Sequence, residues 1–265
     1  MKRPLVLRLL PNRLRVAAWA RLFRPVSERW YSLYRGAPLR FAPNVTMELT
    51  PGDVISDCIA FTGIYELTLS RHLVRLAREG GTMIDVGAHL GYFSLLWAAA
   101  NSANRCFAFE ASPRNIERLK RNVARNGFDA HIEVLPLAAG REHGSVPFDA
   151  GPLEQTGWGG LAAAPGDGTI LVEAVRVDEA LSTINEVALL KIDAEGADAW
   201  VLMGCERLLR GRRVNSIWFE QNKPRIKALG VGEREAEEYL RSLGYLACPR
   251  SNPSAEVVEW SAVRR

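Results

Sequence analysis

The sequence predicts an α/β fold in which a mostly parallel sheet is covered by helices on both faces. Apolar runs of strand length alternate with helix-like stretches from residue 82 onward, which is typical of such sheets. The run at 83–86 leads into a glycine-rich turn, and the run at 189–192 leads into two acids. Because α/β sheets bind ligands at the carboxyl ends of their strands, these two places predict a binding site.

The N-terminal region carries most of the positive charge. Residues 1–40 contain ten Lys or Arg and one acid, a net charge of +9, whereas the whole chain carries +4. Apolar residues interleave with arginines over 3–24, which predicts a basic amphipathic helix broken near Pro11 and Pro25. Such a helix could bind an anionic membrane surface, or it could pack on the body or on a second subunit, and packing is favoured. We divide the chain into a basic helical arm (1–44) and a main domain (45–265).

The remaining elements follow in order along the chain. Residues 41–58 alternate apolar and polar residues around a Pro-Gly turn and predict a short hairpin or edge strands. Residues 65–79 have helical periodicity that ends at Gly80 and Gly81. Strands are predicted near 82–86, 105–110, 131–136, 187–192, 214–220, 244–248 and 256–261. Helices are predicted near 91–101, 113–126, 197–210 and 233–243, and extra strands at 145–149 and 169–177.

A glycine-rich loop that contains Trp158 is predicted over residues 150–168. Long loops in compact domains often act as lids or binding loops. The aromatic side chain could cover a ligand, or it could simply fix the loop to the body.

The composition is that of a globular protein, with 48% hydrophobic and 24% charged residues. Its four cysteines have no CxxC spacing, which favours buried thiols in a reducing compartment. No apolar run approaches the roughly 18–20 residues that span a bilayer, and arginines interrupt the N-terminal apolar stretch, unlike in a signal peptide. We therefore expect a cytoplasmic protein, with residues 1–40 as the candidate contact to a membrane surface or to a second copy.

The turn after the first predicted strand reads DVGAHLG and begins with Asp85. Gly87 allows a sharp turn and a close approach of backbone to a ligand, and Gly91 allows the next helix to pack close to the strand. The dinucleotide fingerprint requires glycine at the positions of His89 and Tyr92, so that fingerprint is broken. An acid two residues before the first glycine suits a cofactor with a cationic amino-acid tail better than a pyrophosphate.

Glu110 ends the second apolar run, CFAFE. A carboxylate at the tip of the second strand can accept hydrogen bonds from both ribose hydroxyls of a nucleoside. The alternative is a surface acid at a strand end, and the ribose role is favoured. Ser112 and Pro113 then suit the N-cap and first position of a helix.

Several motifs, taken together, resemble the FkbM-type family of S-adenosylmethionine-dependent methyltransferases. They are TPGDVISDCIAFTGIYE, MIDVGAHLGYFSL, FAFEASPRNIERLKRNVARNG, LPLAAG, LLKIDAEGADAWVLMGCERLL and IWFEQN. The resemblance covers roughly residues 45–250. It implies a Rossmann-like class I methyltransferase fold, with a seven-stranded sheet whose last strand is antiparallel, and S-adenosylmethionine as cofactor, released as S-adenosylhomocysteine. Characterised relatives mostly methylate hydroxyls of sugars, glycans or polyketide-type natural products.

The resemblance also implies roles for individual residues. Glu66 would reach the amino group of the cofactor, Glu110 would hold its ribose, and Leu137 and Ala138 would lie near its adenine. His89 stands where relatives commonly have Asn, and it adds possible pH sensitivity. The implied cofactor-binding residues are Glu66, Asp85, Gly87, Ala88, His89, Gly91, Glu110, Ala111, Leu137, Ala138 and Asp193.

Three acids are candidates for a catalytic base that activates a hydroxyl: Asp193 first, then Glu195, then Glu220. They could instead cap the following helix, bond loop N–H groups or hold Lys191. Relatives often have His where this chain has Asn222, which leaves the base assignment open. A divalent cation is a rival use of Asp193 and Glu195, but the absence of a clustered His or Asn ligand favours a site without metal.

The function favoured by the sequence is O-methylation of a sugar, a glycan or a secondary metabolite. A dinucleotide-dependent oxidoreductase and a non-catalytic binding protein on the same fold are the alternatives. The broken glycine spacing argues against the first, and the intact strand-tip acids argue against the second. A nucleic-acid methyltransferase is not expected, because the body is acidic and KIDAEG differs from the Asn/Asp-Pro-Pro-aromatic pattern of base methylation.

Overall fold

The computed structural model describes residues 3–22 and 28–264. Its strands are β1 (Ala37–Pro38), β2 (Thr46–Met47), β3 (Thr82–Val86), β4 (Arg105–Phe109), β5 (Ile132–Leu135), β6 (Ala138–Ala139), β7 (Gly144–Asp149), β8 (Gly160–Leu161), β9 (Thr169–Val175), β10 (Val187–Ile192), β11 (Val214–Asn222), β12 (Tyr245–Pro249) and β13 (Val257–Arg264). Its α-helices are α1 (Leu5–Leu9), α2 (Asn12–Leu22), α3 (Val54–Thr62), α4 (Leu67–Ala77), α5 (Tyr92–Ala100), α6 (Pro113–Arg125), α7 (Val177–Ala180), α8 (Asp198–Gly204), α9 (Glu206–Arg210), α10 (Lys223–Leu229) and α11 (Glu235–Ser242).

Seven strands form the central sheet in the order β12-β13-β11-β10-β3-β4-β5. The pairs from β11 to β5 are parallel, while β13 is antiparallel to both β11 and β12. This confirms the predicted sheet and its antiparallel last strand. The strand order reverses between β3 and β10, which creates the crevice where α/β sheets bind ligands.

Both faces of the sheet are buried, as parallel sheets require. Met83 and Leu189 belong to one hydrophobic cluster, with side chains of α4 and α5. Ile84 and Leu190, the next residues along β3 and β10, belong to the other cluster, with side chains of α8 and α11. Alternation along the strands therefore separates two cores.

The described part of the basic N-terminal segment packs on the body. Leu7 is fully buried and Trp19 is 6% exposed, and both belong to the cluster that includes side chains of α3. The predicted break near Pro11 is confirmed by the gap between α1 and α2. The residues Lys2, Phe23, Arg24 and Pro25 lie outside the described part, and the boundary between 44 and 45 stays a prediction.

The described helices include none with the length and apolar character of a membrane span. The four cysteines are free, as predicted, and three of them are buried.

Two predicted elements are wrong in part. The second half of the predicted 41–58 hairpin is helix α3, which begins after Asp53, whose Oδ2 accepts a hydrogen bond from the Ser56 N–H (2.8 Å). The predicted 197–210 helix is divided into α8 and α9 at Cys205. Helix α10, which the pattern did not predict, follows β11 directly.

The two predicted extra strands, β7 and β9, pair with each other in a second sheet ordered β6-β9-β7-β8. The pattern did not predict its other two strands, β6 and β8. This sheet lies between β5 and β10 in the chain. Strand β8 interrupts the loop predicted over residues 150–168, and Trp158 lies in the segment between β7 and β8.

The close contact at the end of α8 gives a stability prediction. A Cβ at Gly204 would lie 2.1 Å from the carbonyl oxygen of Gly140. Helix propensity alone would favour Gly204→Ala by about 1 kcal/mol, but a backbone clash outweighs it, so we expect a loss of about 2–3 kcal/mol. Urea unfolding should show this loss, whereas Gly166→Ala, where a Cβ meets nothing within 4 Å, should be near neutral. A stabilised Gly204→Ala variant would contradict the packing.

Candidate active site

A cavity with two lobes opens at the carboxyl edge of β3, β4, β10 and β11. The larger lobe has a volume of about 250 Å³ and the smaller about 60 Å³. Predicted site residues separate between them, with His89, Glu195 and Glu220 in the larger lobe and Leu137 and Ala138, together with Ala111, in the smaller one. Residues that line both lobes are Gly87, Glu110, Phe148, Gly159 and Asp193.

The glycine turn after β3 brings two strand ends together. Gly87 has φ +70°, and a Cβ there would lie 2.0 Å from the carbonyl oxygen of Asp193. The N–H groups of Gly87 and Ala88 both donate to the carbonyl oxygen of Phe109 at 3.0 Å. At Gly91, a Cβ would lie 2.6 Å from Leu119 of α6. Glycine is therefore required here for close contact among β3, β4 and β10, and for helix packing.

A buried ammonium group lies below this turn. The Nζ atom of Lys191 is 3.3 Å from Asp85 Oδ1 and 3.5 Å from Asp193 Oδ2, and it donates hydrogen bonds to the carbonyl oxygens of Val86 (3.2 Å) and Gly87 (2.9 Å). Burial alone would lower the pKa of Lys191, but the carboxylates of Asp85 and Asp193 raise it above the ordinary value. Lys191 is therefore charged and links β10 to the turn.

Asp85 does not line the cavity, and its predicted contact with the cofactor stays a prediction. Its side chain is fully buried, and its Oδ2 accepts a hydrogen bond from Ser94 Oγ at 2.6 Å. Because its other oxygen faces Lys191, Asp85 acts on the cavity through Lys191 and the turn.

Glu110 lies between the two lobes but is largely engaged by the protein itself. It is 6% exposed. Its Oε2 accepts from the His89 N–H (2.7 Å), and its Oε1 accepts from the Ser112 N–H (2.8 Å) and from Asn115 Nδ2 (3.4 Å). Burial raises the pKa of Glu110, and these donors oppose the rise. Since a carboxylate offers about four acceptor positions, one position remains for a ligand.

His89 is held in one orientation by its neighbours. Its backbone is left-handed, with φ +53°, and its Nε2 lies 2.7 Å from Thr156 Oγ1. Burial lowers the pKa of His89 to about 4, so the ring is neutral at physiological pH. The pH sensitivity considered for this residue therefore falls well below the physiological range.

Three carboxylates converge on the larger lobe. Asp193, Glu195 and Glu220 each place an oxygen within 4.8 Å of the others. Burial and the charge of Asp193 raise the pKa of Glu195 to about 7 and that of Glu220 to about 10, with Glu66 contributing to the latter. Such a cluster has more negative charge than Lys191 can balance, and its donor chemistry suits a cationic ligand or a divalent ion.

Glu66 lies near this cluster but not in the cavity wall. It is half-buried, has φ +40° and directly precedes α4, while its neighbour Tyr65 lines the larger lobe. Burial and the charge of Asp193 raise the pKa of Glu66 to about 8. Its predicted contact with the cofactor amino group stays a prediction.

Asn222 positions Glu195. Its Nδ2 donates to Glu195 Oε2 at 2.9 Å, and its Oδ1 accepts from the Arg225 N–H at 3.4 Å, where α10 begins. Asn222 therefore fixes the orientation of one of the candidate bases.

The predicted Trp158 loop covers the larger lobe. The Thr156 N–H donates to Asp53 Oδ1 (3.0 Å), Asn115 Nδ2 donates to the Thr156 carbonyl (2.9 Å), and Arg225 Nη2 donates to the Trp158 carbonyl (2.5 Å). Trp158 is 50% exposed and lines the lobe.

Sequence reasoning missed the residues that fasten this loop, namely Asp53, Asn115, Thr156 and Arg225. The only local signal was at Asp53, which is of a type preferred before a helix. The others bond to partners 41 to 103 residues away, so no local pattern marks them.

The chain is similar to known methyltransferases. Residues 85–247, more than half of the chain, match the family model described as "Methyltransferase FkbM domain". Methyltransferase sdnD of Sordaria araneosa is 24% identical over 213 residues, which cover 63% of this chain and 78% of that protein.

Solved structures with related folds include methyltransferase FkbM from Methylobacillus flagellatus, with TM-score 0.50 and 13% identity over 88% of this chain and 57% of that chain. This chain thus spans less than two thirds of that protein. The O-methyltransferase from Bacillus cereus in complex with SAH gives TM-score 0.46 and 13% identity, over 94% and 96% of the two chains.

The Lys191 contacts predict strong coupling between two buried charges. Lys191→Met leaves Asp85 as an unpaired buried carboxylate, so we expect a loss of about 3–5 kcal/mol of unfolding free energy. The double variant Lys191→Met/Asp85→Asn should be more stable than Lys191→Met alone, because no buried charge is left unpaired. Urea unfolding measures both, with Lys120→Met on the exposed side of α6 as the control. Additive losses at the two sites would contradict the ion pair.

Proposed function

The chain belongs to the FkbM methyltransferase family, and on that premise we propose that it transfers a methyl group from S-adenosylmethionine to a hydroxyl of a sugar, glycan or secondary metabolite. The observation that carries this proposal is the crowding of Asp193, Glu195 and Glu220 at the mouth of a two-lobed cavity. This cluster offers charge complementarity for a cationic methyl donor and a base for a hydroxyl acceptor.

The residues of the cavity fit the donor in charge and in hydrogen bonding. S-adenosylmethionine carries positive charge on its sulfonium and amino groups, which suits carboxylates that would otherwise repel one another. Asn115 lines the larger lobe and is 4% exposed, and its Oδ1 has no hydrogen-bond partner within the described part of the chain. A donor group of the ligand would satisfy this buried oxygen. Ala111, Leu137 and Ala138 give the smaller lobe the apolar wall that an adenine ring requires.

When bound, S-adenosylmethionine supplies an electrophilic methyl group on a sulfonium that is a good leaving group. Glu110 and the turn at Gly87, which line both lobes, would hold and orient the nucleoside. The loop at Thr156 and Trp158 limits the access of water to the larger lobe. Positioning of this kind supplies much of the rate in a bimolecular transfer.

Glu195 is the base favoured by the electrostatics. Its raised pKa of about 7 is suited to accepting a proton near neutral pH, and Asn222 fixes its orientation. Glu220, with a pKa of about 10, is protonated in the free protein. Asp193 Oδ2 lies 3.5 Å from Lys191 Nζ, so this carboxylate is already held in an ion pair. This reasoning places Glu195 before Asp193, the first candidate by sequence.

Methyl transfer to oxygen is tested with isotopically labelled S-adenosylmethionine and a panel of sugars, sugar nucleotides and polyketide-type alcohols. Mass spectrometry and NMR of the product should identify a methyl ether. Transfer to nitrogen or carbon would overturn the assignment to oxygen while leaving the family unaffected. Binding of the donor without transfer to any acceptor would favour the non-catalytic alternative.

Glu110 gives a prediction for cofactor binding. Glu110→Gln removes the charge that would accept a ribose hydroxyl at its one remaining acceptor position, so we expect at least about tenfold weaker binding of S-adenosylmethionine and S-adenosylhomocysteine, because hydrogen bonds to charged groups are worth about 1.5–3 kcal/mol. Calorimetric titration measures this, with the exposed Glu133→Gln as the matched control. Unchanged affinity in Glu110→Gln would remove it from the site, and binding of NAD instead would contradict the choice of donor.

The pH dependence of the reaction identifies the base. Activity requires Glu195 without its proton, so kcat/KM for the methyl donor should rise with pH and level off above about 7. Glu195→Gln should abolish this rise and lower kcat/KM about 10²–10⁴-fold. Asp193→Asn should move the rise to lower pH, because the charge of Asp193 raises the pKa of Glu195. If Asp193 were the base, Asp193→Asn would instead abolish the rise and Glu195→Gln would retain it.

A further inference from the structure

Another cavity differs from the active-site cavity in its charge and in its lining residues. Its volume is about 250 Å³, and it is formed by α1, α2 and the segment around β1. Its residues differ from those of the active-site cavity. Four of the residues that line it are the arginines Arg3, Arg8, Arg15 and Arg40, which we call the arginine cavity.

Among the described side chains, no acid balances the positive charge of the arginine cavity. Within residues 3–22 and 30–264, none of the four arginines forms an ion pair within 4.0 Å. Burial and the charges of Arg15 and Arg40 lower the pKa of Arg3 to about 10. Burial and Arg40 likewise lower the pKa of Arg15. The fold therefore holds these guanidinium groups close together although they repel one another, and a bound anion would offset that repulsion.

Arg15 is the most buried member of the group. It is 4% exposed, and its Nε has no hydrogen-bond partner in the part of the chain that the structure describes. Its Nη2 donates to the carbonyl oxygens of Arg8 (3.2 Å) and Leu10 (2.9 Å). These carbonyls fix the guanidinium at the end of α1 while leaving one buried donor unsatisfied.

Two other arginines are also fixed by the fold. Arg3 donates to the carbonyl oxygens of Ala60 (2.8 Å) and Pro38 (2.6 Å), and Arg40 Nε donates to Asn12 Oδ1 (3.3 Å). Guanidinium groups that are fixed in this way lose little conformational entropy when they bind a phosphate.

Exposed leucines accompany the arginines. Leu5 and Leu9 are 64% and 76% exposed. Leu5, Arg8 and Leu9 occupy positions i, i+3 and i+4 of α1, so they lie on one helix face. Leu14 and Leu22 of α2 are 56% and 63% exposed. Apolar side chains beside basic ones are typical of helices that lie at a membrane surface.

We propose that the arginine cavity binds the phosphate of an anionic phospholipid headgroup while Leu5 and Leu9 enter the acyl layer. The arginines provide the charge and the directed donors that a phosphate requires. The leucines favour a lipid over a free phosphate, because a soluble ligand would leave them in water. The protein would thereby bring its active site to a membrane surface.

The test is sedimentation of the full-length protein with vesicles. We expect binding to phosphatidylcholine vesicles that contain phosphatidic acid and no binding to phosphatidylcholine alone. Arg8→Gln/Arg40→Gln should weaken binding at least about tenfold, because it removes two guanidinium groups of the cavity lining and charge-assisted hydrogen bonds to phosphate are strong. Arg13→Gln/Arg21→Gln removes the same charge from α2 but leaves the cavity lining intact, so it should weaken binding much less. Leu5→Ser/Leu9→Ser should also weaken binding.

The outcomes are separable. If the two double-arginine variants lose vesicle binding equally, the cavity is not the binding site, and the positive charge of the whole segment attracts the membrane instead. Binding of glycerol phosphate without vesicle binding would overturn the lipid and leave a soluble phosphate ligand, and no binding of either would overturn the site. Thermal unfolding and S-adenosylmethionine binding should match the unmodified protein in every variant. If Arg8→Gln/Arg40→Gln fails to fold, Arg8→Gln alone, at an exposed position, is expected to weaken vesicle binding and Arg13→Gln alone is not.

Discussion

The geometry of the active site depends on the buried ammonium group of Lys191. It lies where the strand order reverses between β3 and β10, and it contacts a carboxylate from each of these strand ends. Burying two charges costs several kcal/mol per ion unless each is paired and hydrogen-bonded. The carbonyl oxygens of Val86 and Gly87 complete that pairing. The glycine turn is therefore fixed by the same group that balances the strand-tip acids.

One ammonium group cannot balance five acids. Asp85 and Asp193 share Lys191, while Glu66, Glu195 and Glu220 have pKa values raised by burial and by the charge of Asp193. An acid whose pKa is raised by folding favours the folded state fully below its ordinary pKa, and this contribution is lost as the pH rises through the raised value. The cluster therefore opposes folding progressively between about pH 5 and 10. A bound cation reverses this effect, which is why the same crowding that costs stability favours a cationic donor.

Local patterns were sufficient for the sheet and the turn, and insufficient for the roles of individual acids. Strand runs, the stop at Gly80 and the glycine at 87 are encoded within a few residues. The alternation around Pro51 and Gly52 also fits a hairpin, so the helix after Asp53 was missed. The sequence predicted that Asp85 lies at a strand end, but it did not predict how deeply the side chain is buried. That burial decides whether Asp85 contacts a ligand or Lys191. The loop contacts and the pKa of Glu195 arise only when distant segments pack together.

The uneven charge distribution of the sequence corresponds in the structure to two sites of opposite charge. At the strand tips, carboxylates crowd around a cavity and outnumber the one ammonium group, Lys191, that pairs with them. Between α1, α2 and β1, arginines crowd around another cavity without an acid within ion-pair distance in the described residues. In both places backbone carbonyls or amide groups hold like charges close together, although the repulsion costs stability. A charged ligand of opposite sign removes that cost at each, so uncompensated charge held by a rigid frame is a better guide to a site than the residue types alone.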